Sequence, residues 1–221
     1  RSADSLYREA STILATLDDP GLSAWTAALL GRRFRARNQG DSALASYTRA
    51  RELYRSVDDR QNEAEQELRL GEILADRGRF ADARARYDAA LASATRDNRR
   101  TQQASALVGI SWVELMIGNY GPALAAAEQS RTLSESVKNA WGMGSAYNLM
   151  GNVLNSRGRY TEALGWYQRA DSVFATINSA SARSSPANNI GTIYFWQGDY
   201  ARALPQFEAA VRLLDAAGPE A

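Results

Sequence analysis

Residues 191–210 read GTIYFWQGDYARALPQFEAA, and the Ala-Leu-x-x-aromatic motif within this stretch decides the fold because it recurs along the chain. The alanine that opens the motif returns at a constant interval of forty positions without an insertion, at Ala43, Ala83, Ala123, Ala163 and Ala203. A fixed period of this length indicates repeated copies of one structural unit that stack on each other.

Other residues keep the same phase. In four copies a glycine stands twelve positions before the alanine, in four copies another stands five positions before it, and in four copies a second alanine follows seven positions after it. The first glycine and the two alanines predict close contact between two helices, because a larger side chain would hold the backbones apart. The later glycine predicts a left-handed residue just past a helix end. Each unit is therefore predicted to be helix A, a tight turn, helix B and a short link.

We expect a single solenoid domain over residues 1–221. Residues 1–22 would hold helix B of a partial repeat and its link, and five repeats would follow at about 23–60, 61–100, 101–140, 141–180 and 181–221. Pro20-Gly21, Asp58-Asp59, Asp97-Asn98 and Lys138-Asn139 mark the links, whereas Pro122, Pro186 and Pro205 are expected in or near first helical turns.

The motif resembles that of the tetratricopeptide repeat family. Gly191-x-x-Tyr194, Gly198-Asp199-Tyr200, Ala203-Leu204-x-x-Phe207 and Ala210 carry the resemblance, which covers the whole chain. The length of the unit is similar to that of the extended repeats in Pins-type scaffolds, kinesin light chains and bacterial regulators. The resemblance implies an all-α, right-handed superhelical solenoid of antiparallel helix pairs, about five and a half repeats long, that binds other polypeptides.

Two copies depart from this pattern. Asn38 replaces the turn glycine in the first copy, and the third copy carries Ser111, Glu114, Ala127 and Ser130 at packing positions. The third repeat is either packed differently from the others or has simply drifted.

Composition excludes several kinds of site. The chain has no histidine and no cysteine, which removes the usual zinc ligands, a thiolate nucleophile, a Ser-His-Asp triad and disulfides. A net charge of +1 disfavours nucleic acid as a partner. No stretch is long and apolar enough for a membrane span, so we expect no membrane partner and a cytoplasmic location. We also expect no cofactor.

The resemblance implies that helix A lines a concave groove. In the fourth repeat one helix A face carries Ser145, Asn148, Asn152 and Asn155, and the fifth carries Ser185, Asn188, Thr192 and Phe195. Asparagine is a poor helix former, so a run of three favours binding over mere solvation. Its donor and acceptor suit the backbone of an extended peptide, and the resembling families use an asparagine ladder in this way.

The groove positions of the first three repeats carry charged or apolar side chains instead of amides. The first presents Trp25, Arg32 and Arg35, the second Glu65, Glu72 and Asp76, and the third Trp112, Leu115 and Met116. Such a groove, passing from basic to acidic to apolar to amide-lined, would select a ligand by its charge register, and the arginines would steer an acidic segment toward it. Trp112 could equally belong to the core.

We therefore expect a peptide-binding module rather than an enzyme. The alternative is an intramolecular regulatory domain of a larger bacterial effector such as a protease, a kinase or a transcription regulator. An active site built on the three carboxylates is the least favoured possibility, because acids at this spacing usually form a charged helix face. The apolar residues of the last helix B, among them Leu204 and Leu214, also predict self-association through that helix.

Overall fold

The computed structural model describes residues 19–218, in which ten α-helices follow one another and no strand occurs. The helices are α1 (Pro20–Ala36), α2 (Gly40–Ser56), α3 (Arg60–Asp76), α4 (Phe80–Arg96), α5 (Arg100–Met116), α6 (Tyr120–Ser136), α7 (Ala140–Ser156), α8 (Tyr160–Thr176), α9 (Ala180–Trp196) and α10 (Tyr200–Ala217). The predicted all-α class is confirmed, with α1, α3, α5, α7 and α9 as the A helices. The partial helix B expected over residues 3–16 lies outside the described residues.

Every link between two helices has three residues, and its middle residue has a positive φ. These left-handed residues are Asn38, Asp58, Gly78, Asn98, Gly118, Lys138, Gly158, Asn178 and Gly198. The residue after each of them donates its amide to a carbonyl five residues earlier, as Arg79 does to Leu74 at 2.9 Å. The predicted turn glycines are confirmed. The backbone conformation thus repeats with every helix, at half the period of the sequence motif.

Side-chain caps explain where five of the helices begin. In each case a side-chain oxygen just before the helix accepts a bond from the amide three residues later, and the caps are Asp19, Asp59, Asn139, Ser179 and Asp199. The amide of Arg202, and then its guanidinium, hold the pKa of Asp199 below its usual range. Because Asp19 is the cap, Pro20 is the first residue of α1, and our placement of Pro20-Gly21 in a link was wrong.

Two prolines also lie deeper in their helices than expected. Pro186 is inside α9 and Pro205 is inside α10, each in the second turn rather than the first. Each lacks the amide that would bond the preceding turn, so each helix loses one internal hydrogen bond.

The chain contains two compact units, residues 1–102 and 103–221, which divide within α5. In the first unit α1 packs against α2, α2 against α3 and α3 against α4. In the second, the same succession runs from α6 to α10. Helix α2 therefore lies between α1 and α3, and α8 lies between α7 and α9.

Glycines in the A helices lie against aromatic rings of the B helices. A Cβ added to Gly31 or Gly151 would lie 2.5 Å from a ring carbon of Tyr47 or Tyr167, and one added to Gly71 would lie 2.6 Å from Tyr87. Three of the predicted close contacts therefore depend on the absence of a side chain. The contact explains why this glycine and a tyrosine at a constant distance after it recur together.

The third repeat replaces this pair with a matched one. Ser111 stands where the glycine would be, and Ala127 stands where the tyrosine would be. Both are fully buried, and the Ser111 hydroxyl donates to the Ala123 carbonyl at 2.8 Å. Ser130 likewise donates to the Ala104 carbonyl at 2.9 Å. Of our two interpretations, the structure supports different packing, because the larger residue in helix A is matched by a smaller one in helix B.

Candidate peptide-binding surfaces

The A helices of the first unit carry an ion-pair network rather than separate basic and acidic surfaces. Arg35 of α1 pairs with Glu72 of α3 and lies 3.8 Å from Asp76. Arg69 pairs with Glu65 at 2.7 Å and with Glu72 at 3.3 Å. The predicted change from basic to acidic along a ligand stays a prediction, and in the structure these opposite charges pair across neighbouring helices.

Two predicted residues of this unit stay outside the network. Trp25 is 52% exposed, and Arg32 is exposed with no ion pair within residues 19–218. The network also lies close to two buried phenols: burial raises the pKa of Tyr47 and of Tyr87, and Glu72 adds to both shifts. Arg69 was missed from the sequence, although its positions four after Glu65 and three before Glu72 signal both pairs.

An amide network lies between the A helices of the second unit. The side-chain NH₂ group of Asn189 in α9 donates to Oδ1 of Asn148 at 3.2 Å and to Oδ1 of Asn152 at 3.0 Å, both in α7. The hydroxyl of Tyr167 in α8 donates to the same Asn152 oxygen at 2.8 Å. Two of the predicted asparagines are therefore joined, through a residue that the sequence did not single out.

This network fixes which atoms remain for a ligand. The Oδ1 atoms of Asn148 and Asn152 accept bonds within the protein, so their NH₂ groups are the atoms left to donate. Both side chains are half-buried, and Tyr167 beneath them is fully buried, which raises its pKa. The two asparagines therefore present donors whose orientation the protein has already set.

The remaining polar residues predicted in this unit lie on the same two helices. Ser145 and Asn155 are half-buried on α7, whereas Ser185 and Asn188 are exposed on α9. The Thr192 hydroxyl donates to the Asn188 carbonyl at 2.9 Å. Asn188, which we predicted as a ladder residue, is thus one position away from the residue that makes the contacts, Asn189.

The surface formed by α7 and α9 is almost free of charge. No residue of α7 is charged, and Arg183 is the single charged residue of α9. Arg183 pairs with Asp171 of α8 at 2.8 Å, so its charge is neutralised within the protein. A ligand on these helices would meet amides, hydroxyls and aromatic rings.

The three apolar residues predicted at the groove in the third repeat differ in burial. Trp112 is half-buried and packs, with Tyr147 and Trp166, against a core cluster that contains Leu149. Leu115 is buried in the core, so its predicted place in the groove was wrong, whereas Met116 is 46% exposed.

Aromatic rings lie at the end of α9. Phe195 is 46% exposed. The centroid of its ring lies 5.6 Å from that of Trp196 and 5.5 Å from that of Tyr200. Trp196 is 73% exposed and was missed from the sequence.

Within residues 19–218 no group of three or more aspartate and glutamate side chains is placed to hold a metal ion. In the same range no helix combines the length and the apolar character that crossing a bilayer requires.

Comparison with known proteins settles the family. The tetratricopeptide repeat profile matches residues 64–136 and 142–216, which together make up more than half of the chain. The chain belongs to the tetratricopeptide repeat family. Among curated proteins, no sequence matches it significantly.

Solved structures with the same tetratricopeptide architecture include a Rap protein complexed with competence and sporulation factor. Its TM-score is 0.79 at 18% sequence identity, with 87% of this chain and 54% of that chain covered. BtubC (BKLC) from P. vanneervenii has a TM-score of 0.73 at 17% identity, with coverages of 96% and 88%. The Rap conjugation gene regulator of plasmid pLS20, in complex with the Phr* peptide, has a TM-score of 0.72 at 17% identity, with coverages of 96% and 68%. At these identities the likeness shows the fold.

Proposed function

We propose that this tetratricopeptide chain is a protein-interaction module whose second unit binds an extended, uncharged polypeptide segment along α7 and α9. The observation that carries the proposal is the amide network, in which Asn189 and Tyr167 occupy the Oδ1 atoms of Asn148 and Asn152 and leave their NH₂ groups to donate to a ligand. Peptide carbonyls are the matching acceptors, and they occur at every residue of an extended chain.

Preorganisation distinguishes this surface from an ordinary solvated helix face. A long charged side chain loses rotamer freedom when it binds, whereas two half-buried asparagines held by neighbours lose little. Asparagine also lowers helix stability relative to alanine or glutamate, so its repeated use on α7 favours a binding role.

The lack of charge on α7 and α9 supports an uncharged segment as the ligand. A charged ligand side chain placed against half-buried amides would lose hydration without gaining an opposite charge. Exposed Phe195 and Trp196 give the same segment an apolar contact at the end of α9.

The first unit contributes little electrostatic steering in this proposal. Arg35 is paired with Glu72, so Arg35→Glu would disturb the contact between α1 and α3 rather than the association rate of a ligand. This replaces our expectation that Arg32 and Arg35 together attract an acidic segment. Arg32 alone remains available as a positive charge there.

The test is a selection of random peptides displayed on phage against the purified chain, followed by affinity measurement with the selected sequences. Asn148→Ala with Asn155→Ala removes two of the proposed groove amides; it breaks the bond from Asn189 to Asn148 but keeps the bonds that Asn189 and Tyr167 make to Asn152. Each lost hydrogen bond costs about 0.5–1.5 kcal/mol, so the double variant should bind about 5- to 150-fold more weakly. Its circular dichroism and urea midpoint should stay near those of the parent protein.

The matched control is Gln129→Ala with Gln168→Ala, which removes two exposed amides from the B helices α6 and α8. This control should leave affinity unchanged. Selected peptides rich in acidic or basic residues, or equal affinities for the two double variants, would refute the proposed surface.

A further inference from the structure

The amide network between α7 and α9 offers a ligand more hydrogen-bond donors than acceptors. The NH₂ group of Asn189 is already bonded to Asn148 and Asn152, and Oδ1 of Asn152 accepts a second bond from Tyr167. Both N–H bonds of the Asn148 amide and both of the Asn152 amide remain without a partner within residues 19–218. The acceptors that remain are Oδ1 of Asn189 and one lone pair of the Asn148 oxygen. A ligand that fits here must bring more acceptors than donors.

Proline is the residue that brings a backbone acceptor without a backbone donor. Every other residue carries an N–H beside its carbonyl, and in an extended strand the two groups point to the same side of the chain. Against surplus donors, that N–H would lose water without gaining an oxygen. Proline has no N–H, and it favours the polyproline II conformation, in which every carbonyl is left to accept. A segment rich in proline therefore matches these amides better than an ordinary extended segment does.

Two exposed tryptophans lie at the ends of the run of asparagines. Trp141 is 50% exposed and stands seven positions before Asn148, which places it on the same face of α7. Trp196 is 73% exposed and stands seven positions after Asn189, on the same face of α9. It also stands 41 positions after Asn155, and this offset is the one that joins Asn148 to Asn189, so the same stagger puts Trp196 beside Asn155. The amides thus have an indole ring at each end.

The exposure of both tryptophans comes from their places on the A helices. Ser156 and Met116, which end α7 and α5 as Trp196 ends α9, are exposed as well. Gln61 and Thr101, which stand at the position of Trp141 in the two preceding A helices, are also exposed. These positions face solvent in several repeats, and the fourth and fifth repeats fill them with large aromatic rings.

The distance between the two rings suits a polyproline II segment. From Trp141 to Asn155, the neighbour of Trp196, there are fourteen helical residues, or about 21 Å along the axis. A polyproline II helix advances about 3.1 Å per residue, so about seven residues cover this distance. Grooves lined by aromatic side chains are the usual sites for such segments.

We propose that α7 and α9 bind a proline-rich segment in the polyproline II conformation. One proline packs on Trp141, a second packs on Trp196 about seven residues along, and carbonyls between them accept from Asn148 and Asn152. The inference rests on the proposed function and adds the class of segment. The near absence of charge on both helices agrees with it, since recognition through proline rings and carbonyls needs no charged side chain.

The test compares two labelled peptides by fluorescence anisotropy, one with four repeats of Pro-Pro-Ala and one with four repeats of Ser-Gly-Ala. The proline peptide should bind at least about fivefold more tightly, which is the least effect expected of one unpaired amide in the other peptide. Trp141→Ala and Trp196→Ala should each weaken the proline peptide by about fivefold or more, as central aromatic contacts do. Both changes are at exposed positions, so circular dichroism and the urea midpoint should stay near those of the parent protein.

The matched control is Trp25→Ala, which removes a 52% exposed indole from the first unit and should leave affinity unchanged. The inference is overturned if the two peptides bind equally, if neither binds, or if Trp141→Ala and Trp196→Ala act no more strongly than Trp25→Ala. The phage selection separates this failure from that of the proposed function. Uncharged selected peptides without proline that lose affinity with Asn148→Ala and Asn155→Ala would uphold the proposed function and refute the proline-rich ligand.

Discussion

The contact between Gly151 and Tyr167 makes the packing of the second unit testable. A Cβ at Gly151 would lie 2.5, 2.7 and 3.0 Å from three carbons of the Tyr167 ring. The ring cannot retreat easily, because it is fully buried and its hydroxyl is bonded to Asn152. Overpacking typically costs about 1–3 kcal/mol, and the better helix propensity of alanine returns about 1 kcal/mol. Gly151→Ala should therefore lower the unfolding free energy by about 0–2 kcal/mol.

The third repeat suggests a pair of substitutions that should relieve this clash. Tyr167→Ala alone should cost about 3–5 kcal/mol, because it empties a large buried volume. Gly151→Ser with Tyr167→Ala copies the natural Ser111 and Ala127 pair. The double variant should lose at least about 1 kcal/mol less than the sum of the two single changes, which is the coupling expected of residues in contact.

The assay is urea unfolding followed by far-ultraviolet circular dichroism, a signal that α-helix dominates. Gly165→Ala on α8 is the matched control, since an added Cβ there meets nothing within 4 Å. It should raise the unfolding free energy by about 0.5–1 kcal/mol. The reasoning fails if Gly151→Ala stabilises as much as Gly165→Ala, or if the Ser/Ala double variant shows no coupling.

Two further predictions concern other parts of the chain. Glu67 is buried between Arg51 at 3.4 Å and Arg86 at 3.2 Å, so Glu67→Ala should lower the unfolding free energy by about 3–5 kcal/mol, whereas exposed Glu52→Ala should change it by less than about 1 kcal/mol. Similar urea midpoints for these two variants would contradict a structural role for the buried carboxylate. Lys138 has a φ of 55°, so Lys138→Gly should raise the unfolding free energy by about 0.5–1 kcal/mol, and an unchanged or lower thermal midpoint would contradict this.

The sequence predicted the helix pairs because small residues recur where helices touch. It did not reveal that the backbone repeats with every helix, since the left-handed positions hold Asn38, Asp58, Gly78 and Lys138 among others and share no residue type. Asparagine and aspartate tolerate this conformation better than most residues, so turns of one geometry differ in sequence. Pro186 was misplaced for a related reason: the helix start depends on Ser179 as the cap, not on the proline.

The candidate site was predicted only in part. A stripe on one helix can be identified from periodicity, which led to Asn148 and Asn152. The residues that bond across helices are 37 and 41 positions apart, and that offset depends on how the two helices are staggered. The same offset of 37 joins Arg35 to Glu72, which is why the charges looked available to a ligand when each helix was considered alone.

The short links have a consequence for handling the protein. Five of the nine links within residues 19–218 contain arginine or lysine, so trypsin has a cleavage site in each of those five. A protease binds several consecutive residues in an extended conformation, whereas each link offers three residues whose backbone is bonded to the helix before it. Cleavage there requires that an adjoining helix first unravel, at a cost set by the local stability of that repeat. The first cuts in a brief digestion therefore rank the repeats by their local stability.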